Sequence, residues 1–167
     1  MKDQKIRKLI FSAMLAALIT VATMVVKIPS PTNGYVNLGD CFVLLAGWLL
    51  GPWYGAASAG IGSMLTDLLS GYPYYAPASF VIKGLDAMMA SLLYTSLKSR
   101  RISLPLSGIV GELIMAAGYF GYSALLLQKG LAAALSIPGN LVQGGVGIIV
   151  AILLMQLAKR AHLAEKI

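Results

Sequence analysis

Six runs of apolar residues, separated by short polar or proline-rich stretches, take up almost the whole chain. They extend from about Ile6 to Val26, Cys41 to Leu50, Trp53 to Leu69, Phe80 to Leu97, Leu104 to Leu127 and Pro138 to Leu157. A helix needs about 20 residues to cross a bilayer, within a range of about 17–25. The first, fourth, fifth and sixth runs are long enough as they stand. The third is broken by glycines. The second suffices only if it extends back through Asn37-Leu38-Gly39-Asp40, or is tilted or partly re-entrant. Barrel strands would alternate in polarity in blocks of about ten, whereas these runs are continuous. The first run is too long for a signal-peptide core and no small-residue cleavage site follows it, so it is expected to remain in the mature protein. The pattern predicts an all-α integral membrane protein: a six-transmembrane-helix bundle forming a single membrane-embedded domain over residues 1–167.

Composition narrows this further. Of 167 residues, 58% are hydrophobic and 11% charged, and the mean hydropathy is +0.80. Soluble domains have about 45–50% apolar and about 25% charged residues. A disordered chain, an ordinary soluble enzyme and a disulfide scaffold are thereby excluded. Cys41 is the single cysteine and forms no internal disulfide. The net charge of +7 is accounted for by basic cytoplasmic loops, without a nucleic-acid partner. Lys2, Lys5, Arg7 and Lys8 precede the first run. Lys98, Arg100 and Arg101 lie between the fourth and fifth, and Lys159, Arg160 and Lys166 follow the sixth. Six spans put all three clusters on one face, so the positive-inside rule predicts cytoplasmic termini in a cell membrane.

The opposite loops differ in kind. Ile28–Asn37 carries Pro29, Pro31 and an Asn33-Gly34 turn, and Gly71–Pro77 carries Tyr72, Tyr74 and Tyr75 between prolines. Such tyrosines suit either a lid over a ligand or an interfacial aromatic belt.

Ionisable residues inside spans are expensive and usually face the bundle interior. Asp67, Lys83, Asp86 and Glu112 are of this kind, and Asp40 stands at the mouth of the second run. Lys83 and Asp86 share a helix face, as do Asn140 and Gln143. At about 1.5 Å of rise per residue, all but Glu112 fall towards the outer side, beneath the tyrosines; Glu112 lies nearer the midplane. Either Lys83 neutralises Asp86 or Asp67, or the groups converge on a ligand. On the first helix, Ser12, Ala13, Ala16, Ala17 and Thr20 form a small-residue stripe, which serves close packing either inside the bundle or against a partner helix.

The order of local motifs resembles the substrate-binding S component of energy-coupling factor (ECF) vitamin transporters. The motifs are Ala13-x-x-x-Ala17, Gly34-Tyr35-Val36-Asn37-Leu38-Gly39-Asp40, Leu50-Gly51-Pro52-Trp53-Tyr54-Gly55-Ala56, Tyr75-Ala76-Pro77-Ala78, Ile82-Lys83-Gly84, Gly111-Glu112-Leu113-x-Met115, Gly118-Tyr119-Phe120 and Pro138-Gly139-Asn140-x-x-Gln143. The resemblance covers nearly the whole chain. It implies capture of a water-soluble vitamin or precursor at the outer side. It also implies a membrane scaffold subunit that docks on Ala13 and Ala17, and two ATP-binding-cassette ATPases that drive release inside. The chain has no Gly-x-x-x-x-Gly-Lys-Ser/Thr phosphate loop, so a substrate-binding subunit rather than an enzyme is expected, with no cofactor and no metal.

Candidate substrate-binding residues are Asn37, Asp40, Asp67, Tyr74, Tyr75, Lys83, Asp86, Glu112, Tyr119, Asn140 and Gln143. One ammonium, several carboxylates and two amides suit a small polar aromatic: pyridoxine or the hydroxymethylpyrimidine precursor of thiamin first, then riboflavin. A folate fits less well, because Lys83 is the one cation within the spans. Two other classes stand beside this reading. A self-sufficient secondary transporter or channel would be expected to show an inverted repeat, which the halves do not. A membrane enzyme using Asp40, Asp67 and Asp86 would lack an Asp-x-x-Asp pair, and His162 lies in the basic tail.

Overall fold

The computed structural model describes residues 2–30, 34–97 and 101–162. Lys98, Arg100, Lys166, Pro31, Thr32 and Asn33 lie outside them. Six helices carry the fold: α1 (Lys2–Val25), α2 (Gly39–Leu50), α3 (Pro52–Leu69), α4 (Ala76–Ser96), α5 (Ser103–Gly121) and α6 (Ile137–Arg160). The same four runs that are long enough by sequence, those of α1, α4, α5 and α6, form helices long and apolar enough to cross a membrane.

The loop expected at Ile28–Asn37 is instead largely a hairpin. Strands β1 (Lys27–Ser30) and β2 (Gly34–Asn37) pair antiparallel, with Lys27 opposite Asn37 and Ser30 opposite Gly34. β1 carries Ile28 and β2 carries Tyr35 and Val36, β-branched and aromatic residues that favour strands, and Pro29 is tolerated because the two-stranded ribbon consists only of edges.

α2 is short for a span, about 18 Å at its length of 12 residues, but it does not face lipid. Ten of its residues are buried, and it packs against α1, α3, α4 and α6. α3 lies between α1 and α4, and α5 between α4 and α6. The turn from α2 into α3 rests on Gly51, whose φ of 84° suits glycine. Pro52 then opens α3 with its φ already set for a helix.

The apolar core gathers at the end away from the hairpin, around Leu15, Leu44, Leu45, Trp48, Tyr94 and Met155. Trp48 Nε1 donates to Ser107 Oγ at 3.0 Å, tying α2 to α5. Leu9, Met14, Leu18 and Val21 on α1, Ile109 and Leu113 on α5, and Val142, Ile149 and Leu153 on α6 all face outwards. That much exposed apolar surface is unsuited to water and suited to lipid.

The small-residue stripe of α1 divides into two faces. Ala16 and Thr20 are buried against α3. Thr20 Oγ1 donates to the Gly62 carbonyl at 3.0 Å, and Ser58 Oγ donates to the Ser12 carbonyl at 3.0 Å. A β-carbon at Gly62 would stand 2.6 Å from the Ala16 carbonyl oxygen, so only glycine permits this approach. Ala13 and Ala17 point away from the bundle and are exposed.

Candidate functional site

The hairpin end of the bundle holds a connected set of polar side chains. Asn37 closes β2 and uses its side-chain oxygen to accept the Gly39 N–H at 2.8 Å, which starts α2. Asp40 follows in the first turn of α2, where a carboxylate is favoured by the helix dipole. Its Oδ1 pairs with Lys83 Nζ of α4, and its Oδ2 accepts Gln143 Nε2 of α6 at 2.7 Å. Gln143 Oε1 in turn accepts the Asn37 backbone N–H at 2.9 Å and Asn37 Nδ2 at 3.1 Å. Four elements are thus joined through one carboxylate and one amide.

Tyrosines flank this cluster. Tyr119 of α5 presents its ring 5.8 Å from Lys83 Nζ, and its hydroxyl hydrogen-bonds Ser79 Oγ at 2.7 Å. Tyr75 lies 6.4 Å from Tyr119, 5.7 Å from Tyr122 and 5.0 Å from Tyr74, centroid to centroid. Tyr122 donates to the Tyr74 carbonyl, and the Tyr75 hydroxyl hydrogen-bonds Ser123 Oγ at 3.2 Å. The segment 72–75 is thereby fastened to the exit of α5, where the chain makes one wide turn over Tyr122–Leu126. Such turns recur at functional sites.

Two further carboxylates lie deeper. Asp86 and Glu112 sit at the midpoints of α4 and α5, with 0% and 5% exposure. Sequence spacing places Asp86 in the same half as Lys83. The structure puts it level with Glu112, because α4 begins at Ala76 rather than Phe80 and gains a turn above it, with Pro77 in that first turn. Glu112 lies against Gly144 and Gly147 of α6, and Asp86 against Gly111 of α5.

Of the residues singled out from sequence, Asn37, Asp40, Lys83 and Gln143 form one hydrogen-bonded chain, with Tyr119 beside it and Asp86 and Glu112 below. Lys83 pairs with Asp40, not with Asp86 on its own helix face. Asp67 is buried near the end of α3, where its backbone carbonyl accepts the Tyr72 N–H at 2.9 Å. Tyr74 is 48% exposed. Asn140 is half-buried, one turn from Gln143 towards the hairpin end. Sequence reasoning missed Ser79, Tyr122, Ser123 and Lys129. Ser79 was within reach, since it precedes Lys83 by four residues on the same helix face. Lys129 lies 6.0 Å from the Tyr75 ring centroid, a contact that depends on the wide turn and leaves no sequence signal.

Comparison with known proteins agrees with this architecture. Residues 3–160 match the profile of the family described as ECF-type riboflavin transporter, S component. The chain is 30% identical over 162 residues to the thiamine precursor transporter HmpT of Lactococcus lactis subsp. cremoris, covering 96% of this chain and 92% of that one. It is 32% identical over 139 residues to a Pyrococcus woesei protein described as "uncharacterized protein in gap 3'region", covering 78% and 93%. A solved structure of the S component of a bacterial ECF transporter superposes with a TM-score of 0.71 at 28% identity, covering 93% of this chain and 97% of the other. With helices that suit a multi-pass membrane protein and a family profile matched over nearly its full length, the chain belongs to the ECF-type riboflavin transporter S-component family.

Proposed function

We propose that this chain is the vitamin-binding subunit of an ECF-type importer. It forms one membrane-embedded domain in the cell membrane, captures a small water-soluble vitamin or precursor at its hairpin end, and releases it inward when docked to a scaffold subunit and two ATPases. The observation that carries this reading is the buried polar cluster of Asn37, Asp40, Lys83 and Gln143 beside a tyrosine layer, at one end of an otherwise apolar bundle. Ligand sites are mostly apolar cavities with a few convergent polar groups. The basic clusters at Lys2–Lys8 and Lys159–Arg160 belong to the opposite end, which supports cytoplasmic termini and an outward-facing hairpin. Ala13 and Ala17, exposed on α1, are the docking surface in this reading.

The favoured ligands are hydroxymethylpyrimidine or pyridoxine, flat rings small enough for a cluster spanned by single side chains. The relative that carries thiamine precursors supports the first. Riboflavin is the second reading, favoured by the family profile. Calorimetric titration of the purified chain with all three compounds decides among them. A hydrogen bond to a charged group contributes about 1.5–3 kcal/mol, and about 1.4 kcal/mol is tenfold in affinity. Lys83→Met or Glu112→Gln is therefore expected to weaken binding roughly ten- to a hundredfold. Wild-type affinity in both variants would remove these residues from the site.

A further inference from the structure

Between α5 and α6 the chain presents large apolar side chains where the bundle ends. The connection consists of the wide turn Tyr122–Leu126, three linking residues and a 3-10 helix, Gly130–Ser136. Leu125, Leu126, Leu131 and Leu135 are 69–89% exposed, against 42–62% for the exposed large apolar side chains of α6. Within the 3-10 helix, Ala133 is the one buried residue. The leucines therefore find no cover in the protein itself.

Length, backbone and side chains each restrict where this segment can lie. α6 has 24 residues and is about 36 Å long, already more than the hydrocarbon core of about 30 Å. Its last turn carries Lys159 and Arg160, which mark the opposite interface. The 3-10 helix joins α6 without a break, so it begins where the hydrocarbon ends. Irregular backbone exposed to lipid is not tolerated inside the core, and the linking residues are irregular: Gln128 and Gly130 have φ of 55° and 54°. Open water, for its part, is unfavourable to a ridge of exposed leucines. The boundary between headgroups and acyl chains meets both demands, with water for the backbone and hydrocarbon for the side chains. Leu141 and Val142 carry the lipid-facing surface of α6 up to this level. Lys129 is exposed in the same segment, a cation suited to lipid phosphates.

We propose that Leu125, Leu126, Leu131 and Leu135 rest in the headgroup–acyl boundary of the leaflet on the hairpin side, so that the partner of this surface is the bilayer itself. The contact reaches the polar cluster through the tyrosines. Ser123 Oγ hydrogen-bonds the Tyr75 hydroxyl at 3.2 Å, Lys129 Nζ lies 3.5 Å from the same hydroxyl, and the Lys129 N–H donates to the Ser123 carbonyl at 3.1 Å. The segment seated on lipid thus also holds one ring of the tyrosine layer, and the bilayer supports that wall of the site. Support of the site rests on the vitamin-binding reading; the seating of the leucines does not.

The test places an environment-sensitive fluorophore at Leu131→Cys, and separately at Leu135→Cys, in the full chain reconstituted in nanodiscs of phosphatidylcholine and phosphatidylglycerol. Both variants carry Cys41→Ser, because serine can keep the bond of buried Cys41 to the Leu38 carbonyl. Leu153→Cys, on the lipid face of α6, serves as the deep reference. Labels at 131 and 135 are expected to be quenched most by lipids spin-labelled near the headgroup and little by aqueous iodide, and the label at 153 most by lipids spin-labelled near the acyl-chain end. Full access to iodide at 131 and 135 would put the segment in water and overturn the proposal. Strongest quenching there from the acyl-chain end would overturn it too, as would disulfide cross-linking of two copies through Leu131→Cys with lipid excluded. The second readout is ligand affinity in the same nanodiscs. Leu131→Ser combined with Leu135→Ser removes apolar contact with lipid and is expected to weaken vitamin binding about tenfold. Unchanged affinity would overturn the support of the site and leave the seating intact. Binding of no vitamin by the wild type would overturn the vitamin-binding reading, while the labels still decide the seating.

Discussion

Asp40 joins the polar cluster because its two oxygens face two different helices. Its partners lie 43 and 103 residues away in the chain, which is why sequence revealed the residue types and not their pairing. The expense of ionisable groups in apolar segments marked Asp40, Lys83, Asp86 and Glu112. Helical spacing then placed Lys83 and Asp86 on one face, but spacing cannot say which neighbouring helix meets that face. The glycines of α6 provide a residue-level prediction. Gly144→Ala puts a β-carbon 2.9 Å from Glu112 Cβ, whereas Gly145 has nothing within 4 Å. Both changes raise helix propensity by about 1 kcal/mol. Gly145→Ala is expected to leave ligand affinity unchanged and to hold or raise thermal stability. Gly144→Ala must displace Glu112 and is expected to weaken binding about tenfold. Equal affinities in the two variants would show that the position of Glu112 does not matter to the ligand.

At the level of elements, apolar run length identified the same four long helices that the structure has, since about 20 residues of unbroken apolar sequence carry a strong signal. The hairpin was not legible as strands. Its two strands have four residues each, too few for alternation to register, and β1 contains Pro29. The stripe on α1 was legible as small residues but not as two faces, because periodicity does not say where a neighbouring helix lies. Its division makes a sharp comparison possible. Ala16 is 8% exposed beneath Gly62, and Ala17 is exposed one residue further on. Overpacking a helix contact costs about 1–3 kcal/mol or more, so Ala16→Trp is expected to lower the thermal stability of the isolated chain. Ala17→Trp is expected to leave stability and ligand affinity near wild type while abolishing uptake by cells that supply the scaffold and ATPases. Full uptake by the Ala17→Trp chain would place the docking surface elsewhere.

Across the whole molecule, polarity is arranged end to end. α2 starts at the polar cluster with Asp40 and finishes in the apolar core with Trp48 and Leu50. The tyrosines stand at the hairpin end, and the basic segments of α1 and α6 stand at the other. This polarity fits a subunit that takes its ligand from one side of the membrane and meets its energising partners through a lipid-facing helix. On the proposed reading, the chain alone holds a vitamin. Mass spectrometry of the small molecule that copurifies with the chain, expressed without scaffold or ATPases and released by denaturation, tests this most directly. The account predicts about one equivalent of a water-soluble heteroaromatic vitamin or precursor from the wild type and a much reduced amount from Lys83→Met. Recovery of no such molecule from the wild type, together with no binding on adding the candidate vitamins back, would contradict it.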